Sequence, residues 1–148
     1  MKTNDKENQL TVHVIGAGKG ESIILQLPNR KWGVVDCYAS SIKNSETNQT
    51  LQYLLRKSVE SLQFLCLSHP HEDHFRGVTQ LLASFEGKIH QIWRFPVRPL
   101  YKVIAHLHVE AEEKDGHTVK KTSVSELAEF FGRVDRMRKR REVTVRLV

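Results

Sequence analysis

The sequence predicts a mixed α/β (α+β) protein, and three observations carry that prediction. Leu10 to Ile15 alternates apolar and polar residues, as a half-buried strand does, and two more short strand-like runs follow before residue 38. After them, short apolar runs take turns with stretches of helical periodicity. Between one apolar run and the next helix stands a dense polar cluster, His69-Pro70-His71-Glu72-Asp73-His74.

Met1 to Gln9 reads as a polar tail, and 10–148 as one unit, because no repeat, low-complexity stretch or linker divides it. Leu10 to Ile15 is the first strand and Ser22 to Leu27 the second. Pro28-Asn29-Arg30 turns the chain into a third, Trp32 to Cys37. This is a β-meander of the kind that opens a sandwich of sheets. A polar segment from Ala39 leads to a helix with Leu51, Leu54 and Leu55 on one face. Phe64 to Leu67 reads as a buried strand, and Gly77 to Phe85 as a helix through Val78, Leu81, Leu82 and Phe85. The cluster at 69–74 therefore falls on a strand-to-helix loop.

Ile89 to Phe95 is a further strand. Leu100, Val103, Ile104, Leu107 and Ala111 fit a helix ending near Asp115-Gly116, with a strand as the open alternative. Ser123 and Glu126 fit a capping box for the next helix. Its apolar face is Leu127, Phe130, Phe131, Val134 and Met137. Arg136, Arg138, Lys139, Arg140 and Arg141 follow, where cations suit the negative end of the helix dipole. Val143 to Val148 alternates as a last strand, and an end inside a strand is unusual for a domain.

The chain has 148 residues, 39% hydrophobic and 27% charged, the profile of a globular protein with an ordinary core. No apolar run approaches the roughly 20 residues of a membrane helix, and the N-terminus has no secretory signal pattern, so a cytoplasmic location is expected. Cys37 and Cys66 are too few for a disulfide framework and lack zinc-ribbon spacing. A formal charge of +6 mildly favours anionic partners such as nucleic acid.

The cluster places three imidazoles and two carboxylates within six positions. Imidazole nitrogen and carboxylate oxygen are the usual ligands of zinc and neighbouring divalent metals. On an extended turn His69 and His71 point the same way and can grip one metal. Asp73 and His74, a step further on, can turn to a second. Two metals about 3.5–4 Å apart can hold a bridging hydroxide, a strong nucleophile near neutral pH. A single structural metal or a solvated polar loop are the simpler alternatives. Glu72, beside the candidate ligands, is expected to be an exposed spacer, and Ser68 and Pro70 to shape the loop.

His-x-His-x-Asp-His after an apolar strand resembles the signature of the metallo-β-lactamase superfamily. Gly18-Lys19-Gly20-Glu21 followed by Ile23-Ile24-Leu25 is similar to the Gly-Gln-Gly-Asp stretch of ComEC-type competence proteins. Val34-Val35-Asp36-Cys37 is similar to the family's strand ending in Asp, where Gly usually follows. The resemblance covers roughly Thr11 to Phe85. It implies the N-terminal half of a metallo-β-lactamase-like αββα sandwich. It implies that His69 and His71 bind a first metal and Asp73 and His74 a second. Asp73 would also orient the attacking water, and Asp36 would support the ligands from behind. Two divalent ions are implied, zinc foremost, with Mn2+ or Fe2+ as alternatives.

The family's pattern continues with a third His, a bridging Asp and a final His. Gly116-His117-Thr118 resembles the Gly-His-Thr of glyoxalase-like members, although a turn before the helix also explains it. His106 and His108 read as part of a half-exposed face. A second polypeptide or segment is therefore expected to supply the missing ligands and to cover an otherwise open apolar face. The function implied is a metal-dependent hydrolase, foremost a nuclease or phosphodiesterase acting on DNA or RNA. Hydrolysis of another ester or amide is an alternative, as is a non-catalytic metal- or nucleic-acid-binding module contacting phosphates through Arg136 to Arg141. A dinucleotide loop at Gly16-Ala17-Gly18-Lys19-Gly20 is disfavoured, because its third Gly falls one position early and a strand follows.

Overall fold

A computed structural model of the chain describes residues 8–16, 18, 20–96 and 123–148. The predicted element over Leu100 to Ala111, and with it His106, His108 and His117, lies outside the described residues.

Three strands open the fold: β1 (Thr11–Ile15), β2 (Ser22–Leu27) and β3 (Lys31–Val35), paired antiparallel. The turn at Pro28–Arg30 is a single 3-10 turn, with Asn29 and Arg30 at φ 60° and 57°. From β3 onward the strands run parallel, and each parallel neighbour needs a crossover long enough to hold a helix. Helix α1 (Gln49–Arg56) leads to β4 (Leu62–Leu67). Helices α2 (Glu72–Phe75) and α3 (Val78–Ser84) lead to β5 (Ile89–Arg94). Helix α4 (Ser123–Lys139) precedes β6 (Thr144–Leu147), which lies parallel to β5. The result is one mixed sheet of six strands in chain order. The meander opens this single sheet, and the described residues contain no second sheet.

The register gives the two faces of the sheet opposite characters. Ile24, Val34, Leu65 and Ile92 lie side by side on one face, each fully buried. Over them pack Leu51 and Leu54 of α1, Leu81 and Leu82 of α3, and the stripe Leu127, Phe130, Phe131, Val134 and Met137 of α4. The other face carries Ile23, Leu25, Val35, Phe64 and Trp93, all half-buried, and Val12 and Val14, exposed at 52% and 68%. Phe64 and Trp93 stack there with ring centroids 5.0 Å apart. No helix among the described residues is long and apolar enough to cross a membrane.

Two buried polar side chains lock the segment that leaves the cluster. Asn48 caps α1 by accepting from the Leu51 N–H at 3.0 Å, and its amide donates to the Gly77 carbonyl and to Gln80, each at 3.0 Å. Glu126 accepts from the Gly77 N–H at 2.8 Å and from the Thr79 hydroxyl at 3.0 Å. Gly77 has φ 97°, and a Cβ there would lie 2.7 Å from the Ala39 methyl, so glycine is required on both counts.

Glu126 turns its carboxylate towards the start of α3. The expectation that Leu55 shares the inward face of α1 is corrected. Leu55 is 52% exposed, because the eight-residue α1 turns Thr50, Leu51 and Leu54 inward instead.

Asn48→Ala takes the side-chain acceptor from the Leu51 N–H and cuts the tie from α1 to Gly77 and Gln80, at a cost of about 2–4 kcal/mol. Leu54→Ala empties a fully buried site and costs a similar amount, whereas Leu55→Ala stays within about 0.5 kcal/mol. Urea unfolding of the three variants measures all of these.

Candidate metal centre

The cluster begins where β4 ends. Leu67 is the last residue of β4, and the chain crosses Ser68 to Pro70 before α2 starts at Glu72. The expectation that all of 69–74 is loop is corrected: Glu72, Asp73 and His74 lie in a one-turn helix with both acids in its first turn, where carboxylates suit the helix dipole. A second segment, 36–39, runs alongside. The Cys37 N–H donates to the His74 carbonyl at 2.8 Å, and the Ala39 N–H to the Arg76 carbonyl at 2.7 Å. These bonds hold the helix turn against the end of β3.

Asp36 stands where β3 stops, buried and at φ 59°. Its own N–H donates to the Cys66 carbonyl at 2.8 Å. Oδ1 accepts from the Ser68 N–H at 2.8 Å, and Oδ2 lies 2.9 Å from Nδ1 of His74. A histidine whose Nδ1–H is held by a carboxylate presents a bare Nε2, the arrangement common among metal-binding histidines.

The structure gathers the three rings. The centroid of His69 is 4.7 Å from that of His71 and 3.9 Å from that of His74. Oδ2 of Asp73 lies 3.6 Å from Nε2 of His74. That is too long for a hydrogen bond and close to the about 3.4 Å that separates two ligand atoms on one tetrahedral zinc. His69 and His74 are half-buried, whereas His71 and Asp73 are exposed. Glu72 is exposed and pairs with Arg76 at 3.4 Å, one helical turn on. His90, on β5, is exposed.

Asp36, His69 and His74 form a group whose ligand atoms all lie within 4.8 Å of one another. As a ligand set it competes with one built on Asp73. The Asp36 carboxylate already accepts from the Ser68 N–H and meets His74 on its Nδ1 side, whereas Asp73 meets it on the Nε2 side. Asp36 is thus placed to orient the His74 ring, and Asp73 stands on the side from which a metal could reach Nε2. His69, His71, Asp73 and His74 carry the donor types that divalent metals take.

Gly20 packs against this loop. A Cβ there would come 2.3 Å from the Tyr38 ring and 2.7 Å from the Asp73 carbonyl. Beside it opens a cavity of about 260 Å³ lined by Ile15, Gly16, Tyr38, Ser40, Thr47 and Gln49. Neither the packing of Gly20 on the loop nor the place of Tyr38 was signalled by the sequence.

Comparison with protein-family models, with curated proteins and with solved structures found no match to this chain.

The cysteines stand apart from this chemistry. Burial pushes the Cys37 thiol up to about 12 and the Cys66 thiol up to about 11. At pH 8 both are protonated, and the thiol is the unreactive form. A disulfide reagent at pH 8 will label neither in the folded protein and both in 6 M guanidinium.

Proposed function

We propose that this chain forms part of a metal-dependent hydrolase acting on phosphodiester bonds in DNA or RNA, with the αββα architecture of the metallo-β-lactamase superfamily. The observation that carries the proposal is the convergence of three imidazole rings and the Asp73 carboxylate at the carboxyl end of β4. The resemblance of residues 11–85 to that superfamily supports the reading.

Bound divalent ions, zinc foremost, supply Lewis acidity and a hydroxide nucleophile at neutral pH. His69 and His71 would hold one ion, and Asp73 with His74 a second. Asp73, being exposed, can also accept a proton from the attacking water at Oδ. Asp36 keeps the His74 ring turned for binding. The cavity beside Gly20 gives substrate a place next to the loop.

A dinuclear site needs more donors than the loop provides, and we propose that a further polypeptide segment, on this chain or another, brings them. The apolar sheet face from Val12 and Val14 to Trp93 supports this, because a second layer packed there would remove its rows of valine, isoleucine and aromatic side chains from water.

One observation favours the binding-module reading. Arg136, Arg138, Lys139, Arg140 and Arg141 are exposed, so they are available to phosphates. They precede β6, at the amino ends of the parallel strands, whereas the metal loop lies at the carboxyl end of β4.

The test is cleavage of labelled single-stranded DNA and RNA by the native protein with any co-purifying polypeptide. Chelation abolishes cleavage, Zn2+ or Mn2+ restores it, and Asp73→Ala lowers the rate by about 10²–10⁴ without loss of the fold. Full metal occupancy without metal-dependent cleavage would overturn the hydrolase reading and leave the module.

A further inference from the structure

We propose that Ser68 is a positioning residue, relaying the Asp36 carboxylate to the His69 ring and so committing Nε2 of His69 to the cation. The sequence alone gave Ser68 no role beyond shaping the loop.

Ser68 Oγ lies 2.6 Å from Oδ2 of Asp36 and 2.8 Å from Nδ1 of His69. A hydroxyl has one hydrogen to give. Two oxygens 2.6 Å apart need a hydrogen between them, and an ionised carboxylate only accepts, so the Ser68 hydrogen points at Asp36. The contact with His69 is then a hydrogen bond only if Nδ1 carries the hydrogen and Ser68 Oγ accepts it. In the opposite tautomer Nδ1 would compete for the Ser68 hydrogen, and either contact would be left with two lone pairs facing each other.

One carboxylate oxygen thus sets two rings, His74 directly at 2.9 Å and His69 through Ser68. The Ser68 N–H, donating to Oδ1 at 2.8 Å, clamps the relaying residue at a second point. Ring orientation fixed in this way raises metal affinity, and loss of such a partner typically costs 10–100-fold. The consequence for affinity rests on the metal reading of the loop; the tautomer of His69 does not.

The experiment has two readouts on the full native chain. Long-range 15N–1H correlation of the metal-free protein reports which His69 nitrogen carries hydrogen. A competing chromophoric chelator reports zinc affinity. The wild type is expected to show His69 protonated at Nδ1. Ser68→Ala is expected to release the ring into a mixture of tautomers and to weaken zinc binding about 10–100-fold. Ser68→Thr, which keeps the hydroxyl, is expected to restore both. An Nε2-protonated His69 in the wild type, or an unchanged zinc affinity in a folded Ser68→Ala variant, would overturn the relay. Wild-type protein that binds no zinc, yet shows the Nδ1 tautomer lost in Ser68→Ala, would uphold the relay and sink the metal reading instead.

Discussion

The candidate site depends on one carboxylate. Asp36 ends β3 in a left-handed conformation and joins the strand to the first residue after β4. Its oxygens accept from the Ser68 N–H and the Ser68 hydroxyl and meet the Nδ1 of His74, and its backbone pairs with Cys66 and with the Ser22 hydroxyl. A buried carboxylate is costly unless such partners satisfy it. Here every partner lies on β2, at the end of β4, or in the cluster itself, so the same bonds that make Asp36 tolerable also fix the loop. Removing it would leave several donors unsatisfied at once.

The rest of the fold serves that junction from the helical side. Asn48 reaches Gly77 from the start of α1, and Glu126 reaches it from α4, so two distant segments hold the exit of the histidine loop. Their anchor is the helix-covered core, whose inward residues are fully buried. The opposite sheet face plays no part in this support. Its aliphatic and aromatic rows are where the proposed further layer would pack.

Much of this was legible in the sequence where the signal is local. The apolar run from Ser22 to Leu27 and the turn after it placed β2 with its observed limits, and the stripe from Leu127 to Met137 is buried as its spacing requires. The imidazoles of the cluster, adjacent in sequence, meet in space. What could not be read depends on contacts across the chain. The Ser68 hydroxyl finds its role through Asp36, 32 positions away, and Glu126 through Gly77, 49 positions away. Periodicity counts Leu55 as apolar-face material, but the short α1 cannot turn both Leu54 and Leu55 onto the sheet. Nor does periodicity separate parallel from antiparallel pairing, which here changes after β3.

The central proposal, that His69, His71, Asp73 and His74 bind divalent metal through nitrogen and oxygen, is tested most directly by X-ray absorption at the zinc edge of the zinc-loaded native protein. The account predicts a shell of nitrogen and oxygen at about 2.0–2.2 Å, with the multiple-scattering pattern of several imidazoles and no sulfur. A sulfur shell near 2.3 Å, or zinc surrounded by water oxygen without imidazole scattering, would contradict it.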